Sequence, residues 1–409
     1  MKPKSLLKKE NFLKTKKVKT KTKKPTNNAT NNATNNATNN ATNNATNNAT
    51  NNATNNATNN ATHHVADKKS GLSLISTLGL FGSHETQVSV HGEVDLHKHV
   101  KDCQKNPGHK KFIPVQSFQL NSLPRCFRDS LLYQLIKVTC DLAVRVEVKL
   151  TSPRRVEFWP ESQQPYPFYN SQATSASRFG SGALINVIKR QNGIGFDVYG
   201  HKYDLETRRC PCQKCQESGN PSRIWWEFIV FTATHVVFDE YEAEHTVCRL
   251  FYDSNTSKGF ILDQASMYRS SIGEDTCDLS FVFCDKQDLG IKTFQMLTTW
   301  FNLWQKVQET FRRSRFAFIV SHPHGCAKQV SFGQWVKSYE WESYNRDMDL
   351  TKLTYTTSTC PGSSGAAVYC VGFGEIVHSG MLNPKLNVSG IGFSYLKSRD
   401  FSLSRRKRT

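Results

Sequence analysis

Three residues far apart in the chain carry side chains that could together cleave an acyl bond. His235 lies within the apolar run TATHVV, Asp278 within DTCDLSFVF and Ser364 within CPGSSGAAV. A serine hydroxyl becomes a good nucleophile when an imidazole takes its proton, and a carboxylate can hold that imidazole in the required tautomer. These residue types predict acyl transfer, with Ser364 as nucleophile, His235 as general base and Asp278 as the orienting acid.

Each of the three also has an ordinary structural explanation when it is taken alone. A histidine in an apolar segment can be a core residue satisfied by a neighbour, an acidic residue often precedes a strand, and Gly-x-Ser-Gly can be a simple turn. Around Ser364, Gly362 and Gly365 allow a tight turn that brings backbone N–H groups together. We expect the N–H groups of Gly362 and Ser364 to form an oxyanion hole.

Taken in chain order, the motifs T-A-T-H, D-L-S-F-V and G-S-S-G resemble those of the trypsin-like (chymotrypsin-fold) serine peptidases, in which His, Asp and Ser follow in that order. The stretch GSGALIN, residues 180–186, resembles the first-barrel strand that precedes the histidine segment of the family. The resemblance extends over residues 175–397. It implies a mainly β fold with two antiparallel β-barrels, and it favours a catalytic role for His235 over a structural one.

The chain departs from the secreted members of this family in its cysteines and its activation site. Val236 stands where those members have a cysteine, and Cys360, four residues before the serine, matches a family cysteine whose partner is not evident here. Ser363 replaces the aspartate of the zymogen type, and no Ile-Val-Gly-Gly follows a basic residue. The twelve cysteines predict thiols in a reducing compartment, and activation through a new N-terminus is not expected.

Two positions bear on which residue precedes the cleaved bond. Ser358 stands six residues before the nucleophile, where the resemblance implies the floor of the specificity pocket, and a hydroxyl there cannot offset the desolvation of Lys or Arg. His378 lies on the expected pocket wall, similar to a histidine of the picornavirus-type main proteases and glutamate-specific members that donates a hydrogen bond to Gln or Glu. The alternative is a neutral pocket for Phe, Tyr or Leu, in which His378 only packs.

Cysteine spacing predicts a structural zinc site. The segment RRCPCQKCQESG holds Cys210, Cys212 and Cys215 at a spacing that lets thiolates converge on one tetrahedral ion, with His201 as the expected fourth ligand. A weaker, less regular candidate is HKHVKDCQKNPGH, which offers His97, His99, Cys103 and His109. We expect no cofactor for the chemistry itself.

The framework that positions these residues is expected to be rich in strands. After residue 175, short apolar and β-branched runs alternate with turn residues, which is typical of an antiparallel sandwich or barrel. Apolar residues at helical spacing predict one or two inserted amphipathic helices within 286–314. Helical spacing within 127–136, followed by alternating valines within 144–148, predicts a small α+β N-terminal module.

These patterns divide the chain into five segments. The spacer consists of nine copies of Asn-Asn-Ala-Thr, which lack large apolar side chains and cannot repay the entropy of ordering. Prolines in FWPESQQPYPFYN predict an irregular strap. The segments are a disordered lysine-rich tail (1–26), the repeat spacer (27–62), an N-terminal module with the strap (63–174), the peptidase domain (175–398) and a basic C-terminal tail (399–409).

Positive charge is concentrated in the two tails. Of the net charge of +19, residues 1–26 contribute eleven lysines against one glutamate, and residues 399–409 contribute five basic residues against one acidic residue. Such runs bind nucleic acid or importin, or simply keep a disordered end in solution. The sequence lacks a secretory signal and any apolar stretch of membrane length. We therefore expect an intracellular protein of the nucleus or cytoplasm, with a protein or peptide substrate and no membrane contact.

A second class of function fits the same residues. The chain could be a catalytically silent peptidase fold that binds nucleic acid or protein and is anchored by its basic tails. All three triad positions hold competent residues, so silence would require a blocked cleft. Reaction with an active-site-directed phosphonate separates the two classes.

Deletion of residues 1–62 tests the role of the basic tail. Because this segment carries most of the net charge, we expect the truncated protein to elute from a polyanion column at lower salt and to change its location in the cell. Hydrolysis of small peptides should stay the same. Unchanged elution together with unchanged localisation would contradict the proposed role.

Overall fold

The protein is described by a computed structural model over residues 79–171, 176–344 and 348–394. Three predicted segments lie outside the described residues: 1–26, 27–62 and 399–409. The strands are β1 (Ser83–His84), β2 (Gln87–Ser89), β3 (Phe112–Pro114), β4 (Ala143–Val148), β5 (Ser177–Gln191), β6 (Ile194–Phe196), β7 (Lys202–Asp204), β8 (Ile224–Thr232), β9 (Thr246–Leu250), β10 (Phe260–Leu262), β11 (Ser266–Ser271), β12 (Thr276–Phe283), β13 (Phe316–Ser321), β14 (Gln329–Ser343), β15 (Asp349–Tyr355), β16 (Ala367–Cys370), β17 (Gly374–Asn383) and β18 (Leu386–Ser394). The α-helices are α1 (Leu96–Lys101), α2 (Ser130–Leu142), α3 (Gln213–Gln216), α4 (Glu240–Glu244) and α5 (Gln287–Thr310).

The strands form two antiparallel sheets. The first has ten strands in the order β10-β9-β4-β5-β8-β12-β11, with β2 and β6 paired to β5 and β7 paired to β6. The second has eight strands in the order β1-β17-β16-β13-β14-β15-β18, with β3 on β14, and an additional pairing of β17 with β18 closes β13 to β18 into a ring. The predicted mainly β class is confirmed, and the two sheets are consistent with the predicted two-barrel fold.

The predicted helix between the strands is one continuous helix of 24 residues, α5. Its apolar face packs on α2, where Trp300 donates an indole hydrogen bond of 2.9 Å to the Thr139 hydroxyl. Asp129 begins α2 by accepting the N–H groups of the first turn, as an N-cap residue does. Among the helices of the described ranges, none has the length and apolar character needed to cross a membrane.

The hairpin of β14 and β15 is the largest feature that the sequence patterns did not predict. Its outer part alternates buried and exposed residues only weakly, and polar side chains such as Lys337 and Glu340 interrupt the apolar signal. Pairing of Trp335 with Tyr355 fixes the hairpin to the ring, where both side chains are buried. The strands are therefore stabilised by tertiary contacts more than by their own pattern.

The predicted N-terminal module, residues 63–174, does not pack separately in its described part. β4 pairs with β5 and β9 in the centre of the first sheet, and β1 and β3 pair with strands of the second sheet. The helix and strand predicted around 127–148 are present as α2 and β4, but their apolar side chains share one core with the predicted peptidase domain. Residue 174 is therefore not a boundary between packed units.

The strap predicted from its prolines is attached by a buried ion cluster. Glu242 is fully buried, and its carboxylate accepts hydrogen bonds of 2.7 and 2.8 Å from Arg155 and Arg178. Burial alone would raise the pKa of Glu242, but the two guanidinium groups outweigh it and lower that pKa. Arg155 also donates to the backbone oxygens of Pro167 and His235, so the cluster joins the strap to the turn that carries the histidine.

Replacement of Glu242 by alanine should leave two buried arginines without their counter-charge. We expect the free energy of unfolding to fall by about 3–5 kcal/mol, measured by urea denaturation. The control is Asp204→Ala, which removes an ion pair with Arg208 in which both side chains are more than half exposed; it should cost about 0–1 kcal/mol. Equal losses for the two variants would contradict a structural role for the cluster.

Candidate active site and metal clusters

The imidazole of His235 joins elements of both sheets. His235 follows the end of β8, in a turn held by a hydrogen bond of 3.0 Å from the N–H of Val236 to the oxygen of Ala233, and it is fully buried. Its Nε2 lies 2.8 Å from Oγ of Ser364, and its Nδ1 lies 2.8 Å from the carboxylate of Asp275. Because an ionised carboxylate only accepts, Nδ1 carries the proton and Nε2 is free to accept from the serine.

The acidic partner is Asp275 and not the predicted Asp278. Asp275 lies in the turn between β11 and β12 with a φ of 57°. Its carboxylate also accepts the backbone N–H of His235 at 3.1 Å and the hydroxyl of Ser379 at 2.5 Å. These contacts orient the carboxylate towards the imidazole from several sides.

Asp278 is a strand residue with a different partner. It lies within β12, where its carboxylate faces β11 and accepts from Nε of Arg269 at 3.2 Å. Burial raises the pKa of Asp278 to about 6, although the charge of Arg269 opposes the shift. The prediction was wrong because the sequence stretch contains two aspartates three residues apart, and only the turn geometry distinguishes them.

The loop before and after Ser364 depends on two glycines, as predicted. Gly362 and Gly365 have φ angles of 94° and 85°, which other residues rarely adopt. A side chain at Gly362 would also approach the backbone oxygen of His322 to 2.4 Å. The resulting turn directs the N–H groups of Gly362 and Ser364 to one point, at distances of 2.6 and 3.2 Å from a single oxygen atom.

That oxygen is the backbone carbonyl of Glu85, from a segment of the same chain. We call residues Ser83–Ser89 the docked segment. Its first part, β1, pairs with Gly380 and Met381 of β17, and its last part, β2, pairs with β5. The N–H of Glu85 donates to Oγ of Ser364 at 2.9 Å. The predicted nucleophile thus contacts the backbone N–H of Glu85, and both predicted oxyanion donors contact the backbone oxygen of the same residue.

The side chain of Glu85 is buried in a pocket lined by hydrogen-bond donors. Nε2 of His378 lies 2.8 Å from its carboxylate, and the hydroxyl of Thr359 donates to the same oxygen at 2.6 Å. Nζ of Lys105 contacts the other oxygen at 2.6 Å. Burial would raise the pKa of Glu85, but His378 and Lys105 outweigh it and lower this pKa to about 2.

The two predicted pocket residues have different positions. His378 lies in the pocket wall, where the hydroxyl of Tyr355 is 2.5 Å from its Nδ1 and orients the ring. Ser358 is buried next to the pocket, where its backbone oxygen accepts from the hydroxyl of Ser331. The hydroxyl that reaches the carboxylate belongs to Thr359. The sequence patterns did not predict Lys105 as a pocket residue, because a lysine in a polar segment carries no signal for the distant loop that it contacts.

Four cysteines converge at the first predicted metal site. Cys210, Cys212 and Cys215 lie together as predicted, but the fourth member is Cys284, whose sulfur is 3.9 Å from Cys212 and 3.4 Å from Cys215. The predicted ligand His201 instead contacts Asp197 at 3.0 Å. Cys284 follows β12, about 70 residues after the other three cysteines, and only the folding of the sheet brings it to their loop.

The second cluster combines two predicted and two unpredicted residues. Cys103 and His109 meet His324 and Cys360, and the sulfurs of Cys103 and Cys360 are 3.5 Å apart. The predicted His97 and His99 lie on α1 and are not members of this group. Cys360, for which the sequence offers no disulfide partner, therefore has Cys103 as its neighbour, and both thiols are free.

Both clusters have the donor set of a structural zinc site. The ligand atoms of each group lie within 4.8 Å of one another, and thiolate and imidazole ligands in fours are typical of structural zinc. In the second cluster Nδ1 of His324 contacts Gln87 at 2.9 Å, while its buried Nε2 has no protein partner among the described residues. That nitrogen has the free lone pair of a metal ligand.

Metal analysis of variants tests the corrected ligand set. The purified protein should contain zinc, and Cys284→Ser should lose about one ion per chain and lower the melting temperature, because metal binding is coupled to folding. His201→Ala is the matched control and should retain the ion. Loss of zinc in the His201 variant but not in the Cys284 variant would restore the original prediction.

No protein-family model and no curated protein matches this chain. Among solved structures, the chain is similar to the crystal structure of a protease from M. tuberculosis in its active form, with a TM-score of 0.31 and 10% sequence identity. The match covers 69% of this chain and 88% of that chain. A similarity at this level carries no conclusion about the chemistry of this chain.

Proposed function

We propose that this protein is a serine endopeptidase that hydrolyses peptide bonds through an acyl-enzyme. One observation carries the proposal: the buried ring of His235 lies 2.8 Å from Oγ of Ser364 and 2.8 Å from the carboxylate of Asp275. Nucleophile, base and orienting acid are thus connected in one line of hydrogen bonds, which is the arrangement that serine acyl transfer requires.

In the proposed reaction, Oγ of Ser364 attacks the carbonyl carbon while Nε2 of His235 takes the hydroxyl proton. Asp275 holds the ring and stabilises the imidazolium that forms. The N–H groups of Gly362 and Ser364 bind the developing oxyanion, and each such donor stabilises the transition state by about 2.7–4 kcal/mol. His235 then returns the proton to the leaving amine, and water hydrolyses the ester by the reverse sequence of proton transfers.

The catalytically silent alternative also has an observation in its favour. A silent site requires a blocked cleft, and the docked segment occupies the position that a substrate would take. Binding to nucleic acid or to another protein would then be the main activity. The two functions differ in whether Ser364 is chemically activated, which can be measured directly.

Labelling by a fluorophosphonate probe measures that activation. The probe is applied to the wild-type full chain and to the Glu85→Lys variant, which we call the open chain. The new cation beside Lys105 should expel the docked segment and open the cleft. The open chain should be labelled at Ser364, and Ser364→Ala should abolish labelling. Asp275→Asn should slow the reaction by about 10⁴-fold, because the imidazole takes the wrong tautomer.

Asp278→Asn is the matched control for Asp275→Asn. It lies three residues away and is buried, but it contacts Arg269 and not the imidazole, so labelling should change only a few fold. If the open chain is not labelled while circular dichroism shows it folded, the silent function is correct. A larger effect from Asp278→Asn than from Asp275→Asn would overturn the assignment of the acid.

A further inference from the structure

We propose that the chain cleaves itself in cis between Glu85 and Thr86, with the docked segment as substrate and the buried carboxylate of Glu85 as the feature that is recognised. The inference rests on the proposed function and names a substrate for the same site. It is carried by three independent sets of contacts, made by the backbone before and after the bond, by the carbonyl group and by the side chain.

The backbone of the docked segment extends both sheets on the two sides of the bond. Ser83 and His84 pair antiparallel with Met381 and Gly380 of β17, while Gln87–Ser89 pairs antiparallel with β5. Strand addition of this kind gives main-chain affinity for an extended peptide, with specificity left to the side-chain pockets. The peptide bond between Glu85 and Thr86 lies between the two paired stretches, so it is held from both ends.

The carbonyl oxygen of Glu85 lies at the two N–H groups that are expected to bind the oxyanion. This oxygen accepts from the N–H groups of Gly362 and Ser364 at 2.6 and 3.2 Å, and the backbone N–H of Glu85, on the preceding peptide bond, donates to Oγ of Ser364 at 2.9 Å. Oγ is in turn 2.8 Å from Nε2 of His235. The oxyanion donors thus hold the carbonyl oxygen of Glu85, and the nucleophile, paired with its base, contacts the backbone of the same residue.

The side-chain pocket is built for a carboxylate. His378, Thr359 and Lys105 all donate to Glu85, whose side chain is 2% exposed. Lys105 is itself held by the hydroxyl of Thr359 at 2.8 Å and the amide oxygen of Asn387 at 3.0 Å. Each carboxylate oxygen has a charged or polar donor, so an aromatic or aliphatic side chain would leave these buried groups unpaired.

Attachment within the same chain favours cleavage in cis. Lys105 lies only 20 residues after Glu85, so the loop that forms part of the pocket also tethers the substrate. A short tether gives the docked segment a high effective concentration at the site, above that of a free peptide. Cleavage therefore requires no second molecule.

The reaction consumes one water and releases two polypeptides. Oγ of Ser364 forms an ester with the carbonyl carbon of Glu85 as the bond to the nitrogen of Thr86 breaks, and His235 transfers the serine proton to that nitrogen. Water then hydrolyses the ester, which leaves a carboxylate on Glu85, an amine on Thr86 and the hydroxyl restored on Ser364. Residues 1–85, with the lysine-rich tail, are separated from residues 86–409.

Intact-mass measurement and N-terminal sequencing of the full chain test the proposal. The wild-type protein should convert with time to residues 1–85 and 86–409, with a new N-terminus at Thr86 and a rate that does not change on tenfold dilution. Ser364→Ala should stay intact, also when mixed with wild-type enzyme at the same concentration. A rate proportional to concentration, or a cut at another bond, would contradict cleavage in cis at this position.

Two substitutions test recognition of the carboxylate, and a third serves as the control. Glu85→Gln keeps the shape but removes the charge, and Lys105→Met removes the cation; each should slow cleavage by about 10- to 100-fold, the effect of one hydrogen bond to a charged group. Lys98→Met is the control, because within the described ranges this exposed lysine on α1 pairs with Asp95, and its substitution should leave the rate unchanged.

The open chain with Glu85→Lys distinguishes failure of this inference from failure of the proposed function. If the wild-type chain stays intact while the open chain is labelled by fluorophosphonate at Ser364, the peptidase function holds and the docked segment is an inhibitor and not a substrate. If the open chain is folded but is not labelled, the proposed function itself fails. Cleavage at Thr86 in the wild type, lost in Glu85→Lys, supports both.

Discussion

The hydrogen bonds of one buried imidazole are the constraint on which the rest of the structure depends. His235 comes after a strand of the first sheet and contacts Ser364, which belongs to a loop of the second sheet. The carboxylate of Asp275 lies on its other side, in a turn of the first sheet. A neutral ring with one donor and one acceptor satisfies both partners only if the two sheets are held in a fixed relation.

Buried charge provides much of that fixation. Arg155 connects the strap to the backbone of His235, and its guanidinium is neutralised by Glu242, which is shared with Arg178. Such a cluster is costly to desolvate and is not expected to add much net stability, but it tolerates few alternative arrangements. We interpret it as a device that fixes position at the junction, in the region where the strap crosses the histidine turn.

The second Cys/His cluster connects the loop of the pocket lysine with the loop of the nucleophile. Cys103 and His109 lie on either side of Lys105, and Cys360 precedes Ser364 by four residues. A zinc ion bound there would hold the side chain that recognises the carboxylate at a fixed distance from the oxyanion donors. The metal would then support substrate recognition without contact with the reacting atoms.

The sequence by itself determined the residue types of the chemistry: the histidine in its apolar run, the serine between glycines, the cysteine-rich loop and the predominance of short strands. These are local patterns, and the physical rules that connect them to structure act over a few residues. Tertiary structure decided which aspartate faces His235, that Cys284 replaces His201 and His324 joins Cys103, and that Lys105 and Glu85 meet at the nucleophile. Each of these contacts depends on sheet register and loop closure, which bring distant strands together. Such a pairing leaves no periodic or compositional signal along the chain.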